Sequence, residues 1–291
     1  MKPAKFDYHR PASIDEAVAI LDRYQGEARV LAGGQSLVPM MNFRLATPAA
    51  IIDLNRIPGL GEVTAADGVV AIGAMARQRR LEFDPVVAGR LPLLREALGW
   101  IGHLPTRTRG TIGGSIAHAD PAAEIPMVLQ ALAGEIVVRG PGRERRIAAQ
   151  ELFLAPLTTA LEPDEILTEV RLPAMPSRAG YAIEEFARRK GDFAIAAIAV
   201  MLVWDDEHLM TARLATAGIG PVPVRLRDAE AILEQEGLGD DAIAAAAQRA
   251  AELVEPMADH NASADFRRHL TGVLTRRAVL KARNRSDART G

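Results

Sequence analysis

Cysteine is absent from the 291 residues, which excludes disulfides, thiolate nucleophiles, cysteine-ligated zinc and iron–sulfur clusters within the chain. Any such cluster would have to sit on a partner. An excess of one charge sign is also lacking: 35 Lys and Arg against 37 Asp and Glu leave a formal net charge of −2. Electrostatics therefore give no reason to expect nucleic acid or a strongly anionic membrane as partner. The longest apolar run, FAIAAIAVMLVW from Phe193 to Trp204, is too short to span a bilayer and reads as a buried strand. The N-terminal stretch MKPAKFDYHRP has no apolar secretory core, and the expectation is a cytoplasmic protein. There is no GxGxxG fingerprint and no P-loop, and Gly218-Ile219-Gly220 runs into Pro221, which cannot open a dinucleotide-binding helix in that register. Ser36 in GGQSLV lacks the second glycine of a nucleophile elbow.

What is present is concentrated in two stretches. TIGGSIAHADPAAE, from Thr111 to Glu124, puts paired glycines, two hydroxyls, a histidine and two carboxylates directly after the arginine-bearing segment PTRTRG. Paired glycines permit positive φ and close approach to a ligand. A turn entering a helix aims successive backbone N–H groups at one point, and flanking hydroxyls add donors without charge, so the natural guest is an anion such as a pyrophosphate. LAGGQSLVPMMNFRLATP, from Leu31 to Pro48, repeats the pattern with Gly33-Gly34 and Ser36. Two such loops can converge on one extended phosphate-containing ligand.

At this length the chain should hold two or three compact units. Residues 1–58 read as a small α/β lobe: a helix opened by a Ser13/Glu16 capping box with an apolar face of Ala17, Val18, Ile20 and Leu21, then the strand ARVLA, the first glycine loop and a second strand from Ile51 to Leu54. Residues 59–175 form a second lobe, with the strand GVVAIGAM, the helix RLPLLREALGWIG, the Thr111 stretch, helix into strand over PMVLQALAGEIVVRG, and edge and closing strands over ERRIAAQELF and EILTEVRLPAM. Residues 176–291 begin with two or three strands joined by a tight turn at Asp205-Asp206-Glu207-His208. Three helical patterns follow, which predicts an α+β unit with helices covering one face of a sheet. The tail NRSDARTG is polar and expected to be disordered.

His118, Asp120 and Glu124 are residue types that bind metals, yet no HExxH-type spacing occurs. They are read as groups that hydrogen-bond the turn or a polar ligand, with no metal site and no catalytic acid, base or nucleophile expected. Arg188-Arg189-Lys190 is compatible with a solvated strand end and with an anion site.

AGGQS at 32–36, TIGGSIAHADPAAE at 111–124 and RRKGDFA at 188–194 together resemble the FAD-binding subunit of the molybdenum hydroxylases, the carbon monoxide dehydrogenase medium-chain and xanthine dehydrogenase family, over essentially the whole chain. The resemblance implies an α+β protein: a two-lobed FAD domain of the vanillyl-alcohol-oxidase type and a small C-terminal domain. It implies noncovalent FAD that accepts electrons from [2Fe-2S] clusters on a small subunit, reduced in turn by a molybdopterin cytosine dinucleotide centre on a large subunit, and passes them to an external acceptor. It also implies a hexamer built as a dimer of heterotrimers.

Carried over residue by residue, Leu31, Ala32, Gly33, Gly34, Gln35, Ser36 and Leu37 would wrap the pyrophosphate, and Thr111, Ile112, Gly113, Gly114 and Ser115 would form the second wall. His118 and Asp120 would line the flavin side, and Glu124 and Leu167 would touch the cofactor. Asp192 and Phe193 match a GDY-type motif whose aromatic lies near the isoalloxazine. Phe193 stands where tyrosine is usual, and Glu184 and Glu185 occupy a strand where relatives often carry lysine. The rival readings are a self-contained FAD oxidoreductase and a scaffold subunit that has lost FAD.

Overall fold

Ser13 stops an extended N-terminal segment and starts a helix, Ile14–Arg23, by accepting the Glu16 amide on its side chain. The Glu16 carboxylate reaches back to the amide of Ala12, one residue earlier than a capping box places it. This helix lays Ala17, Val18, Ile20 and Leu21 against a three-stranded parallel sheet of Asp7–His9, Ala50–Asp53 and Ala28–Leu31, with Ala50–Asp53 in the middle. A computed structural model of the chain describes residues 1–205 and 208–290, with side chains as far as Arg285.

The second sheet has five antiparallel strands in the order Val63–Ala66, Val69–Gly73, Ile166–Pro173, Glu135–Gly140, Arg143–Ala148. Ile166–Pro173, expected as a closing strand, sits at the centre because it pairs on both sides, with Val69–Gly73 and with Glu135–Gly140. A bulge between Leu167 and Glu169 interrupts its alternation, so that Leu167, Val170 and Leu172 all join the core of this lobe, while Ile166 reaches into the core under the first sheet. Short helices pack over the sheet, among them Gln78–Phe83, Pro92–Leu98, Ile112–His118 and Glu124–Ala131. PTRTR is also helical, within Leu104–Arg109, where Pro105 occupies the first turn, a place in which a backbone amide would have no intrahelical partner, and Gly110 ends the helix.

The third sheet runs Gly180–Phe186, Ala196–Asp205, His208–Ala217 and Val224–Arg225, all antiparallel. The expected turn after Asp205 includes Asp206 and Glu207, which lie outside the described residues. Three helices, Arg227–Glu236, Asp240–Leu253 and Ala264–Thr290, cover one face. The last continues to Thr290, through the polar tail expected to be disordered, because no proline or glycine interrupts it there and extending an existing helix is cheap.

The opposite face is covered by Pro92–Leu98 and Glu124–Ala131 of the second lobe. The central strand is therefore buried on both sides. Ala197, Ala199 and Met201 belong to the core shared with the second lobe, whereas Ala196, Ile198, Val200 and Leu202 belong to the core under the C-terminal helices. Double burial is why this strand reads as one unbroken apolar run.

Candidate functional site

The first glycine loop follows directly on strand Ala28–Leu31 and ends in the short helix Leu37–Asn42. Gly34 adopts φ of +74°, which a side chain would resist. Gly33 is buried against the second loop, where a methyl would collide with the carbonyl oxygen of Arg109 and lie 2.8 Å from Cα of Gly110. Between the strand and the helix, the amides of Gly33, Gly34, Gln35 and Ser36 donate to no protein group among the described residues. Successive unspent N–H groups beside an αL residue form a concavity suited to an anion.

The second loop is built differently from the sequence expectation. Gly113 and Gly114 take helical backbone angles, inside the helix that Thr111 caps by accepting the Gly114 amide on its hydroxyl at 3.0 Å. The amides of Ile112 and Gly113 are spent on the carbonyls of Ala76 and Ala74. Here glycine serves close packing: a methyl on Gly113 would sit 2.5 Å from the Ala74 methyl, and one on Gly114 would sit 2.7 Å from the Thr111 hydroxyl. This loop therefore contributes surface and the Ser115 hydroxyl, and the free backbone donors belong to the first loop.

A polar clamp holds the loops together. The Asn55 amide nitrogen donates to the carbonyl of Ala32 at 3.0 Å, while Arg77 donates to the Asn55 side-chain oxygen and to the carbonyl of Arg109. Asp53, itself bonded by Tyr8, accepts from the Asn55 amide at 2.9 Å. Burial and the neighbouring charge of Arg109 lower the pKa of Arg77. Asn55 and Arg77 were not legible as site residues because their partners are backbone carbonyls distant in sequence.

The two loops form the walls of a cavity of about 1050 Å³, which is large enough for a dinucleotide cofactor. It is lined by Ala32 through Leu37, Thr111, Gly113, Gly114, Ser115, His118, Asp120, Glu124, Leu167 and Phe193. Three expected contacts lie elsewhere: Leu31 packs against Gly34 from the strand, Ile112 is fully buried in the core, and Asp192 is exposed outside the cavity with its amide on the Arg189 carbonyl. Phe193 is 74% exposed at the mouth. Gln78 and Glu165, absent from the sequence reading, also line the cavity. Gln78 presents a buried Oε1 with no partner. Burial favours the neutral form of Glu165, but hydrogen bonds from Arg145, together with the Glu162 amide and Arg143, outweigh it and lower its pKa.

The carboxylate of Glu124 behaves oppositely. At the N-terminus of Glu124–Ala131 it is 8% exposed, and burial, reinforced by the charge of Asp120, pushes its pKa up to about 7 despite a bond from its own amide. Behind it, on strand Gly180–Phe186, burial and the Glu124 charge push Glu185 up to about 8.

Unspent amides, a cradle of glycines and an orphan amide oxygen fit a large ligand carrying a pyrophosphate and a ring with both donors and acceptors, as FAD does. Residues 4–175 match the family model described as the FAD binding domain in molybdopterin dehydrogenase, and residues 181–282 match the CO dehydrogenase flavoprotein C-terminal domain. The chain is 38% identical to the 6-hydroxypseudooxynicotine dehydrogenase complex subunit alpha of Paenarthrobacter nicotinovorans, over 98% of this chain and 97% of that protein. It is 37% identical to the carbon monoxide dehydrogenase medium chain of Hydrogenophaga pseudoflava, over 97% and 98%. Among solved structures, reconstituted CO dehydrogenase from Oligotropha carboxidovorans superposes with a TM-score of 0.95 at 37% identity, covering 98% of this chain and 100% of that one. Quinoline 2-oxidoreductase from Pseudomonas putida 86 gives 0.93 at 33%, with the same coverage. The chain belongs to the FAD-binding medium subunits of the molybdenum-containing dehydrogenases and hydroxylases, the family of the carbon monoxide dehydrogenase medium chain.

Proposed function

We propose that this subunit holds one noncovalent FAD between its glycine loops and passes electrons from [2Fe-2S] clusters of a small partner subunit to an external acceptor. The substrate would be oxidised at a molybdopterin cytosine dinucleotide centre on a large partner, in a dimer of heterotrimers. The observation that carries the reading is the row of four unspent amides from Gly33 to Ser36 facing the Thr111–Ser115 wall inside one cavity.

In this assignment the four amides and the Ser36 and Ser115 hydroxyls hold the pyrophosphate, and the Asn55–Arg77 clamp fixes the spacing between the walls. Phe193 offers a ring face at the mouth, while His118, Asp120 and Glu124 line the interior. When bound, FAD supplies the redox chemistry, and the protein supplies position and electrostatics. The full-length likeness to medium chains of multi-subunit dehydrogenases supports the division of labour among chains.

The test is to purify the chain without added cofactor, record its visible spectrum, denature it and identify the released chromophore by mass. Free FAD at one per chain is the expected result. A colourless chain that refuses added FAD would overturn the assignment in favour of a scaffold, and colour retained on the denatured chain would overturn noncovalent binding. Turnover of an organic reductant by the isolated chain would replace the electron-relay role with that of a self-contained oxidoreductase.

A further inference from the structure

Glu185 lies where the two domains meet behind the cavity. Along Gly180–Phe186 the side chains alternate: Ala182 belongs to the core under the C-terminal helices and Ile183 to the core shared with the second lobe. Glu185 is in phase with Ile183, and its cross-strand neighbour Ala197 belongs to the same shared core. Glu185 therefore projects toward the cofactor lobe, where Glu124 is the charge acting on it. Its Oε2 is buried and has no hydrogen-bond partner.

Among the described residues no ion pair reaches Glu124 or Glu185. On the helices and strands packed around them, Glu165 is committed to Arg145 and Arg143, and Glu96 to Arg285 and Lys281, the latter also holding Glu184. Arg213 and Arg225 answer to Glu230, and Arg213 also to Glu234. Glu151 is exposed at the end of Ala149–Leu152. Asp120 and His118 share the cavity wall, and Asp120 adds negative charge. A carboxyl as buried as that of Glu124, with no cation beside it, is favoured in its protonated form. A protonated Glu124 is a hydrogen-bond donor facing the cavity, whereas an ionised one is a fixed negative charge beside acceptor atoms.

We propose that Glu124 acts as a proton-holding group in the cavity wall, so that FAD binds with Glu124 protonated and donating a hydrogen bond, its proton kept there by burial and by the neighbouring charge of Asp120. The inference rests on the cavity being the FAD site. In alkaline solution each FAD bound must draw a proton from water onto Glu124.

The experiment is a titration of the full chain, freed of FAD, with FAD at constant ionic strength between about pH 6 and about pH 9. The expected dissociation constant is flat in acid and rises roughly tenfold per pH unit once Glu124 ionises. Glu124→Gln keeps a neutral donor, so it should bind FAD with a flat profile. Glu185→Gln is the control: Glu185 is still protonated when Glu124 ionises, so the onset should be unchanged. The infrared difference spectrum on adding FAD should perturb a neutral carboxyl C=O band that disappears in Glu124→Gln, a readout that a purely structural role would not move.

A wild-type profile flat over the whole range, or an unaltered slope in Glu124→Gln, overturns the proposal. A lower onset in Glu185→Gln would overturn the assignment of the proton to burial and Asp120. Failure to bind FAD at every pH overturns the cofactor assignment instead.

Discussion

Gly113→Ala isolates the part played by close packing in the second loop. The glycine is helical, so alanine meets no backbone strain and should gain about 1 kcal/mol of helix propensity. Against this, the new methyl would sit 2.5 Å from the Ala74 methyl, 2.8 Å from its carbonyl oxygen and 2.9 Å from its Cα. Two of these three atoms are backbone, and the third is fixed to it, so none can rotate away. Overpacking of this kind costs about 1–3 kcal/mol. The strain falls on the Gly113 amide bond to Ala74 and so shifts the wall that faces Gly33. FAD affinity should fall on the order of tenfold, since each 1.4 kcal/mol is a factor of ten.

Gly89→Ala supplies the control. It also lies in a helix, Pro85–Arg90, but its methyl would meet nothing within 4 Å. That variant should be as stable as wild type or up to about 1 kcal/mol more stable, with FAD binding unchanged. Urea unfolding of the cofactor-free chain and FAD titration read both quantities. Equal stability and affinity for Gly113→Ala and Gly89→Ala would refute the close-packing argument.

Asn55→Ala should weaken FAD binding by roughly tenfold through loss of the Ala32 and Arg77 bonds, since hydrogen bonds to charged groups contribute about 1.5–3 kcal/mol; a variant titrating like wild type would dismiss the clamp. Glu185→Gln should also stabilise the cofactor-free chain in alkaline solution. Its folded pKa of about 8 exceeds the ordinary value of 4.5, so the cost of Glu185 is absent in acid, grows as pH rises through the ordinary value and levels off beyond the folded one. Denaturation at several pH values reads this, and equal stability of variant and wild type at every pH would contradict it. Gly191→Ala should destabilise the Arg188–Phe193 segment by about 1–2 kcal/mol, because φ there is +93° and the methyl would run into the His103 ring; faster amide exchange confined to this segment is the expected signature.

Much of the scaffold is readable from periodicity. The Ser13 cap, the apolar stripe after it, the strand delivering Gly33 and the three C-terminal helices all follow from local pattern, because capping and amphipathic spacing act over a few residues. The unbroken apolar run also marks a buried strand, but which neighbour covers each face depends on how distant helices pack. The central position of Ile166–Pro173 was hidden for the same reason, since sheet order is a matter of long-range pairing.

The site divides along that line. By itself the sequence determined that two double-glycine segments exist, that each carries a hydroxyl, and that cysteine chemistry must lie outside this chain, because composition and local motif carry that information. Only the tertiary structure decided that Gly34 supplies a turn while Gly113 supplies contact, that Asn55 and Arg77 join the walls, and that Glu124 is buried in the cavity wall. A glycine's role, a backbone carbonyl's partner and a carboxyl's pKa are set by what lies within a few ångströms, and those neighbours come from sequence positions far away.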